Sequence, residues 1–310
     1  MATVLEKQNY DKELHEEIKN LIDTKKVDIT TIARGINKSP TTVSLYLSKK
    51  YNGRIDNLED DLRGYLNIIN KREKADFKSL KFVETTIVKR LFNAANMCQL
   101  RGKMGVCYGS PGIGKTTTIQ EYQKSSASVI IVDPCEQTSS RAILIQIAKQ
   151  LKLSYSNNMS TDEFIDNISK KLYKNKYLII VDEAENLKID SFKALRKIFD
   201  RAKNSCGLLF VGTEELQDLL MKVKHGFPYI SSRIAYLERL DALKIGDVEK
   251  LVIQYFPDCT DSLIQYIAKT CNYNARAIQN LLDLCLDIVQ SNKIILDTDV
   301  IDAAREKLLI

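Results

Sequence analysis

Tryptophan is absent from this chain, histidine occurs twice and proline five times in 310 residues. His15 and His225 are isolated, so a histidine-built metal centre has little support. Cysteine is scattered: positions 98, 107, 135, 206, 259, 271 and 285 are odd in number and contain no C-x-x-C pair. Neither a disulfide framework nor a zinc ribbon is indicated, and reduced thiols point to the cytoplasm. No apolar run approaches the ~20 residues of a membrane span, and residues 1–10 are too polar for a secretory leader. Charge of one sign does not dominate either. The balance of 46 basic to 40 acidic residues, net +6, permits a polyanionic partner without requiring one.

Glycine is also scarce, 12 in all, which makes one local concentration informative. Gly109, Ser110, Pro111, Gly112, Ile113, Gly114, Lys115 and Thr116 spell G-x-x-x-x-G-K-T, followed by Thr117. Residues 104–108 read as a short buried strand before this segment, and residues 116–124 carry no Pro or Gly and continue as a helix. Backbone N–H groups in such a loop form an anion nest, and the helix dipole adds positive charge. The pattern predicts ATP bound here, with Lys115 on the β and γ phosphates and the Thr116 hydroxyl on Mg²⁺. The metal needs a carboxylate from elsewhere. Residues 177–181 form an apolar, β-branched run that ends in Asp182 and Glu183, as a strand buried on both faces of a parallel sheet would. Asp182 fits the metal-side role and Glu183 the general base that polarises the attacking water.

The first part of the chain has a different pattern. Asp28 is placed to cap a helix whose apolar residues Ile29, Ile32, Ala33 and Ile36 share one face. Asn37 and Lys38 interrupt it, and Ser39 and Pro40 suit the N-cap and first position of a second helix with Val43, Tyr46, Leu47 and Tyr51 inward. Two short helices around a tight turn match helix-turn-helix geometry. The outward residues Thr41, Thr42, Ser44, Ser48, Lys49 and Lys50 are small or cationic, and residues 38–54 hold four bases and no acid, a surface suited to DNA phosphates. The same periodicity also serves a plain helical bundle that only packs. Residues 58–69 are expected to close this module, and the charge-rich residues 71–81 read as a linker.

Taken in order, the loop at 103–117, the acids Asp182 and Glu183, the strand at 208–211 followed by Gly212 and Thr213, and Arg276 in Asn274-Ala275-Arg276 resemble an AAA+ ATPase. Residues 82–85 (F-V-E-T) and 227–234 (F-P-Y-I-S-S-R-I) are similar to its transposition branch, the family of the phage Mu transposition protein B. The resemblance implies an α/β fold: an AAA+ P-loop core with a parallel sheet and a helical lid, preceded by an all-α helix-turn-helix domain. The implied boundaries are 1–70 for the helix-turn-helix domain, 71–84 for a linker, 85–242 for the core and 243–310 for the lid. It further implies that Thr213 is a polar sensor, Arg233 an arginine finger acting on a neighbouring subunit and Arg276 a second sensor on the lid. Either arginine could instead form a surface ion pair.

Around these, residues 129–133 and 234–240 read as strands, and 141–151 and 191–202 as helices; helical spacing in the lid falls at 247–255, 262–271, 275–291 and 299–308. The family further implies an ATP- and Mg²⁺-dependent filament or ring on duplex DNA, target selection and delivery to a transposase that stimulates turnover, all in the cytoplasm of a bacterial host cell. Lys124, Arg141 and Lys149 are candidate contacts of that DNA with the N-terminal set. Two other readings stay open: a helicase-loader ATPase, and a helix-turn-helix regulator that uses nucleotide only as a ligand. The acidic segment D-E-A-E at 182–185 also resembles a helicase box, but the chain is too short for two helicase lobes.

Overall fold

The computed structural model describes residues 10–24, 27–74, 81–156, 158–173, 175–202, 204–226 and 232–308. The chain divides into two compact units, Met1–Ser79 and Leu80–Ile310.

The first unit is helical: α1 (Lys12–Asp23), α2 (Ile29–Gly35), α3 (Pro40–Leu47) and α4 (Ile55–Lys74). The side chains of Asp11, Asp28 and Ser39 accept from backbone N–H groups of the helices they precede, so each of the first three helices has a side-chain N-cap. Asn37, at φ 54°, turns the chain from α2 into α3. Ile32, Ala33, Val43 and Tyr46 meet Leu14 and Ile18 of α1 and Leu58, Leu62 and Leu66 of α4 in one core. Glu59 is buried there and paired: it accepts from the Tyr46 hydroxyl at 3.0 Å and from the Asp11 N–H at 2.8 Å. One expectation needs correction. Residues 71–74, expected as the start of a linker, belong to α4, which runs through Lys74; Lys, Arg and Glu are good helix formers, and charge density alone does not end a helix. Residues 75–80 lie outside the described residues.

The second unit opens with α5 (Thr86–Arg101), capped by Thr85 and ended by left-handed Gly102. Then follow β1 (Met104–Gly109), α6 (Lys115–Ser125), β2 (Val129–Val132), α7 (Ser140–Gln150), α8 (Thr161–Leu172), β3 (Tyr177–Val181), a 3₁₀ turn at Ala184–Asn186 and α9 (Ile189–Arg201). The core ends with β4 (Cys206–Gly212), α10 (Glu214–Gly226) and β5 (Ile234–Leu240). All five strands are parallel, in the order β2-β3-β4-β1-β5.

The continuous apolar strands are explained by two buried faces. Leu178, Ile180, Leu209 and Val211 point into a cluster with α5 and α6, while Ile179, Val181, Leu208 and Phe210 point into a second cluster with α7, α8 and α9. The first cluster continues into the lid helices α11 (Ile245–Tyr255), α12 (Asp261–Thr270), α13 (Ala275–Asn292) and α14 (Thr298–Arg305). Parallel strands present all their carboxyl ends on one edge of the sheet. The ends of β1, β3 and β4, three adjacent strands, therefore meet there.

Candidate nucleotide site

The loop after β1 takes its shape from two glycines. Gly112 (φ 79°) and Gly114 (φ 95°) occupy the left-handed region, where a side chain would be strained. Gly114 precedes α6 with no side-chain cap, so the first-turn N–H groups of that helix have no capping side chain competing for them. Lys115 is buried; its Nζ donates to the Gly109 carbonyl at 2.7 Å and the Ser110 carbonyl at 2.9 Å. Burial pulls its pKa down, and the charges of Glu185, Asp182 and Glu214 oppose that fall.

One cavity is lined by Pro111, Gly112, Lys115, Thr116 and Thr117 together with Asp182, Glu183, Thr213 and Arg276. The loop, the acids, Thr213 and Arg276, predicted from four separated segments, thus converge. Within the loop the roles differ. Gly109 supplies a carbonyl to Lys115, the Ser110 hydroxyl donates to Glu214 at 3.0 Å, and the Ile113 side chain is buried in the core, leaving only its backbone for a ligand.

Asp182, just past β3, is 5% exposed. Burial raises its pKa, opposed by hydrogen bonds from the Thr116 side chain and the Glu183 N–H. A buried carboxylate beside a hydroxyl offers two hard oxygen donors, which fits Mg²⁺, an ion that keeps several ligands from water and phosphate. Glu183 holds a left-handed backbone (φ 45°, ψ 43°), uncommon for glutamate and of the kind found where a site demands a particular aim. Its carboxylate accepts from Asn186 Nδ2 at 3.3 Å, and the same amide donates to the Pro134 carbonyl at 3.3 Å.

The Oγ1 of Thr213 is buried and has no hydrogen-bond partner among the described residues. An orphaned hydroxyl on a cavity wall is a ready donor to a ligand oxygen. The lid is fastened to the loop: Asn274 Nδ2 donates to the Pro111 carbonyl at 2.7 Å, and the Arg276 N–H donates to the Gly112 carbonyl at 3.0 Å. Asn274 also caps α13 by accepting from Ala277 N. Sequence reasoning missed Asn274, although it stands two residues before Arg276 with a capping side chain at a helix start. It also missed Glu185, the last acid of the D-E-A-E segment, and Glu214 and Gln279, which carry no local pattern of their own.

Arg233 is not part of this cavity. It stands beside Phe199, Asp200 and Asn204, and its Nε donates to Asp200 at 3.1 Å with its side chain 48% exposed. Residues 227–231 of the segment that suggested it lie outside the described residues.

The candidate DNA residues divide. Thr41, Ser44, Lys49 and Lys50 are exposed in the first unit, whereas the Thr42 hydroxyl is engaged with the Ser39 hydroxyl at 2.9 Å and the Ser48 hydroxyl donates back to Ser44 and Leu45 carbonyls. In the second unit, Lys149 is exposed and Lys124 pairs with Glu121 at 3.0 Å. Arg141 is a correction. Its guanidinium donates to the Met159 and Ser156 carbonyls and lies over the Phe164 ring, so it staples the α7–α8 connection and is withdrawn as a DNA contact.

Among the described residues no helix is long and apolar enough to cross a membrane. Residues 99–220 match the profile of the AAA domain. The chain is 26% identical over 236 residues to the Mu-like prophage FluMu DNA transposition protein B of Haemophilus influenzae, covering 75% of this chain and 81% of that protein. It is 23% identical over 239 residues to the ATP-dependent target DNA activator B of Escherichia phage Mu, covering 76% and 75%. A potential ATP-binding protein of Staphylococcus aureus is 27% identical over 280 residues, covering 75% of this chain and 98% of that one. In fold the chain is similar to the Aeropyrum pernix ORC2 protein, with a TM-score of 0.58 at 17% identity over 74% of this chain and 69% of the other. The chain therefore carries an AAA-type ATPase domain and is a distant homologue of the transposition protein B proteins of Mu-like phages.

Proposed function

We propose that this protein is an ATP-dependent, largely sequence-independent DNA-binding ATPase that assembles on duplex DNA and delivers it as target to a transposase. The observation that carries the reading is the division of labour among polar groups. One cavity gathers Lys115, Thr116, Asp182, Glu183, Thr213 and Arg276, while Arg233 stands outside it on an exposed ion pair.

In this reading the loop N–H groups, Lys115 and Arg276 hold the phosphates of ATP, and Thr116 with Asp182 would hold Mg²⁺, which would neutralise phosphate charge. Glu183 takes the proton of a water whose oxygen attacks the γ-phosphorus as the bond to ADP breaks, and Thr213 orients the γ-phosphate. Arg233 would enter the site of a second copy. Its guanidinium offsets charge on the equatorial oxygens of the transferring group, so turnover depends on assembly. A head-to-tail contact of this kind repeats into a filament or ring. The relatives named ATP-dependent target DNA activator B support DNA as the partner. The exposed Thr41, Ser44, Lys49 and Lys50, with Lys124 and Lys149, are the proposed phosphate-facing set, Thr42 having its hydroxyl occupied in the α3 cap. The proposed domain division keeps the helix-turn-helix region, the 85–242 core and the 243–310 lid, with the linker starting after Lys74.

Anisotropy of random-sequence duplex with and without Mg-ATP, followed by electron microscopy, tests the reading. We expect ATP to tighten binding tenfold or more, the affinity to fall steeply with salt, and protein to coat the duplex. Glu183→Gln should bind ATP and DNA yet stop hydrolysis. Operator-grade selectivity without ATP would replace this reading with a regulator, and capture of a helicase in place of the transposase would replace it with a loader.

A further inference from the structure

The acidic turn after β3 contains two glutamates on the cavity wall, and only Glu183 has a task so far. Glu185 is half-buried, and both of its oxygens accept from the Thr213 N–H, at 3.2 and 3.3 Å. This contact spans 28 residues and ties the turn after β3 to the end of β4, the adjacent strand. Gly212 makes room for it. A Cβ at that position would stand 2.2 Å from Glu185 Oε2, so the carboxylate reaches Thr213 only because position 212 has no side chain. The next group along is the Thr213 Oγ1, buried without a partner on the cavity wall.

We propose that Glu185 is a positioning residue for ATP hydrolysis: by gripping the Thr213 N–H it fixes the aim of the Thr213 hydroxyl toward the γ-phosphate. A hydroxyl on a one-carbon stem points where its backbone directs it. Freed from Glu185, the peptide before Thr213 can rotate and the hydroxyl loses its line to the phosphate, while the loop and Lys115 continue to hold the nucleotide. The carboxylate also faces Lys115 as the leading charge opposing the fall in its pKa, but Asp182 and Glu214 face the same ammonium, so this charge is shared. Glu185 therefore acts through a hydrogen bond that an amide oxygen can also accept. Glu183, as a base, cannot be replaced by an amide. The two acids of one turn should respond oppositely to the same substitution. This inference rests on Thr213 acting as the γ-phosphate sensor.

The experiment compares parent, Glu185→Ala, Glu185→Gln, Glu183→Gln and Gly212→Ala in the full chain. It measures kcat and KM for ATP on duplex DNA and the ratio of ADP to ATP dissociation constants with fluorescent nucleotides. Glu185→Ala should lower kcat tenfold or more with KM within about threefold, and shrink the preference for ATP over ADP several-fold, since sensing is lost and anchoring kept. Glu185→Gln should retain both within about twofold, while Glu183→Gln abolishes kcat and keeps the nucleotide preference. Gly212→Ala, whose methyl group displaces the carboxylate without removing it and also crowds the buried Leu216, should follow Glu185→Ala, and parental melting temperatures in both variants exclude a folding defect. Parental kcat and preference in Glu185→Ala overturn the positioning role alone, as does an inactive Glu185→Gln. A parent that turns over no ATP removes the site reading and this inference together.

Discussion

Arg276 and Arg233 are both partly exposed arginines, yet they belong to opposite kinds of surroundings. Arg276 begins a lid helix whose first residues are tied to the phosphate loop by two hydrogen bonds, and it lines the cavity. Arg233 is held by an ion pair with Asp200, at an exposure where such pairs contribute roughly 0–1 kcal/mol. The walls of the cavity that Arg276 lines are tied together by side-chain hydrogen bonds: Ser110 to Glu214, Asn274 to Pro111, Glu185 to Thr213. A group meant for another copy's ligand is better left on a contact that costs little to break. The difference teaches that the cavity lining is cross-tied by hydrogen bonds from distant segments, whereas Arg233 has one exposed ion pair, which is what the proposed division between cis and trans roles requires.

The contrast is broken most severely at its anchor. Lys115→Ala removes the buried amine proposed to hold the phosphates, and we expect nucleotide-dependent DNA binding to vanish, with ATP affinity down about a hundredfold or more. Isothermal titration and anisotropy check this, and normal binding would refute the phosphate role. Next comes Arg233→Ala, which should keep ATP affinity while losing about 10²- to 10³-fold in turnover on DNA. Mixing Arg233→Ala with Glu183→Gln should restore part of the activity, because some interfaces then combine an intact Glu183 with an intact Arg233. If the mixture stays as inactive as its components, the arginine does not act between subunits.

A smaller effect is expected at the lid tie. Asn274→Ser can still cap α13 but is too short to reach Pro111, so KM for ATP should rise roughly three- to tenfold with little change in melting temperature. An unchanged KM would show that the tie does not serve the nucleotide. The smallest effect is thermal. The fold raises the pKa of Asp182 above its ordinary 3.8, so the folded chain binds that proton more tightly than the unfolded one. That contribution is fully present below about pH 3.8 and is lost as pH rises through the raised pKa. Asp182→Asn should therefore melt about 2 °C higher than the parent near neutral pH without Mg-ATP, and gain nothing at acidic pH. With Mg-ATP the order should reverse, because ligand binding then stabilises the parent more. A scanning calorimetry series over pH, with and without ligand, decides it.

Much of this was legible locally. The glycines at 112 and 114, the β-branched run before Asp182 and the caps at Asp28 and Ser39 each act within a few residues, and strand β5 was readable to its ends. Four helices were not anticipated. In α1 only Leu14 and Ile18 are buried among polar neighbours, and α10 follows Thr213 with the acids Glu214 and Glu215 in its first turn, a start signal that went unread. The other two had usable signals: α8 carries a capping box, Ser160 with Glu163, and α5 lies between Thr85 and left-handed Gly102. Residues 71–74, read as the start of a linker from their charge, are helical because Lys, Arg and Glu favour the helix.

The chain's local chemistry by itself determined where phosphates can be cradled and which strand ends in acids, since loop conformation and strand burial depend on neighbouring residues. Only the tertiary structure decided which distant side chains join them. Asn274 reaches Pro111 across 163 residues, and Glu185 reaches Thr213 because β4 lies beside β3 in the sheet. Such contacts are set by strand order and by the packing of the lid on the sheet, and no short stretch of sequence encodes either.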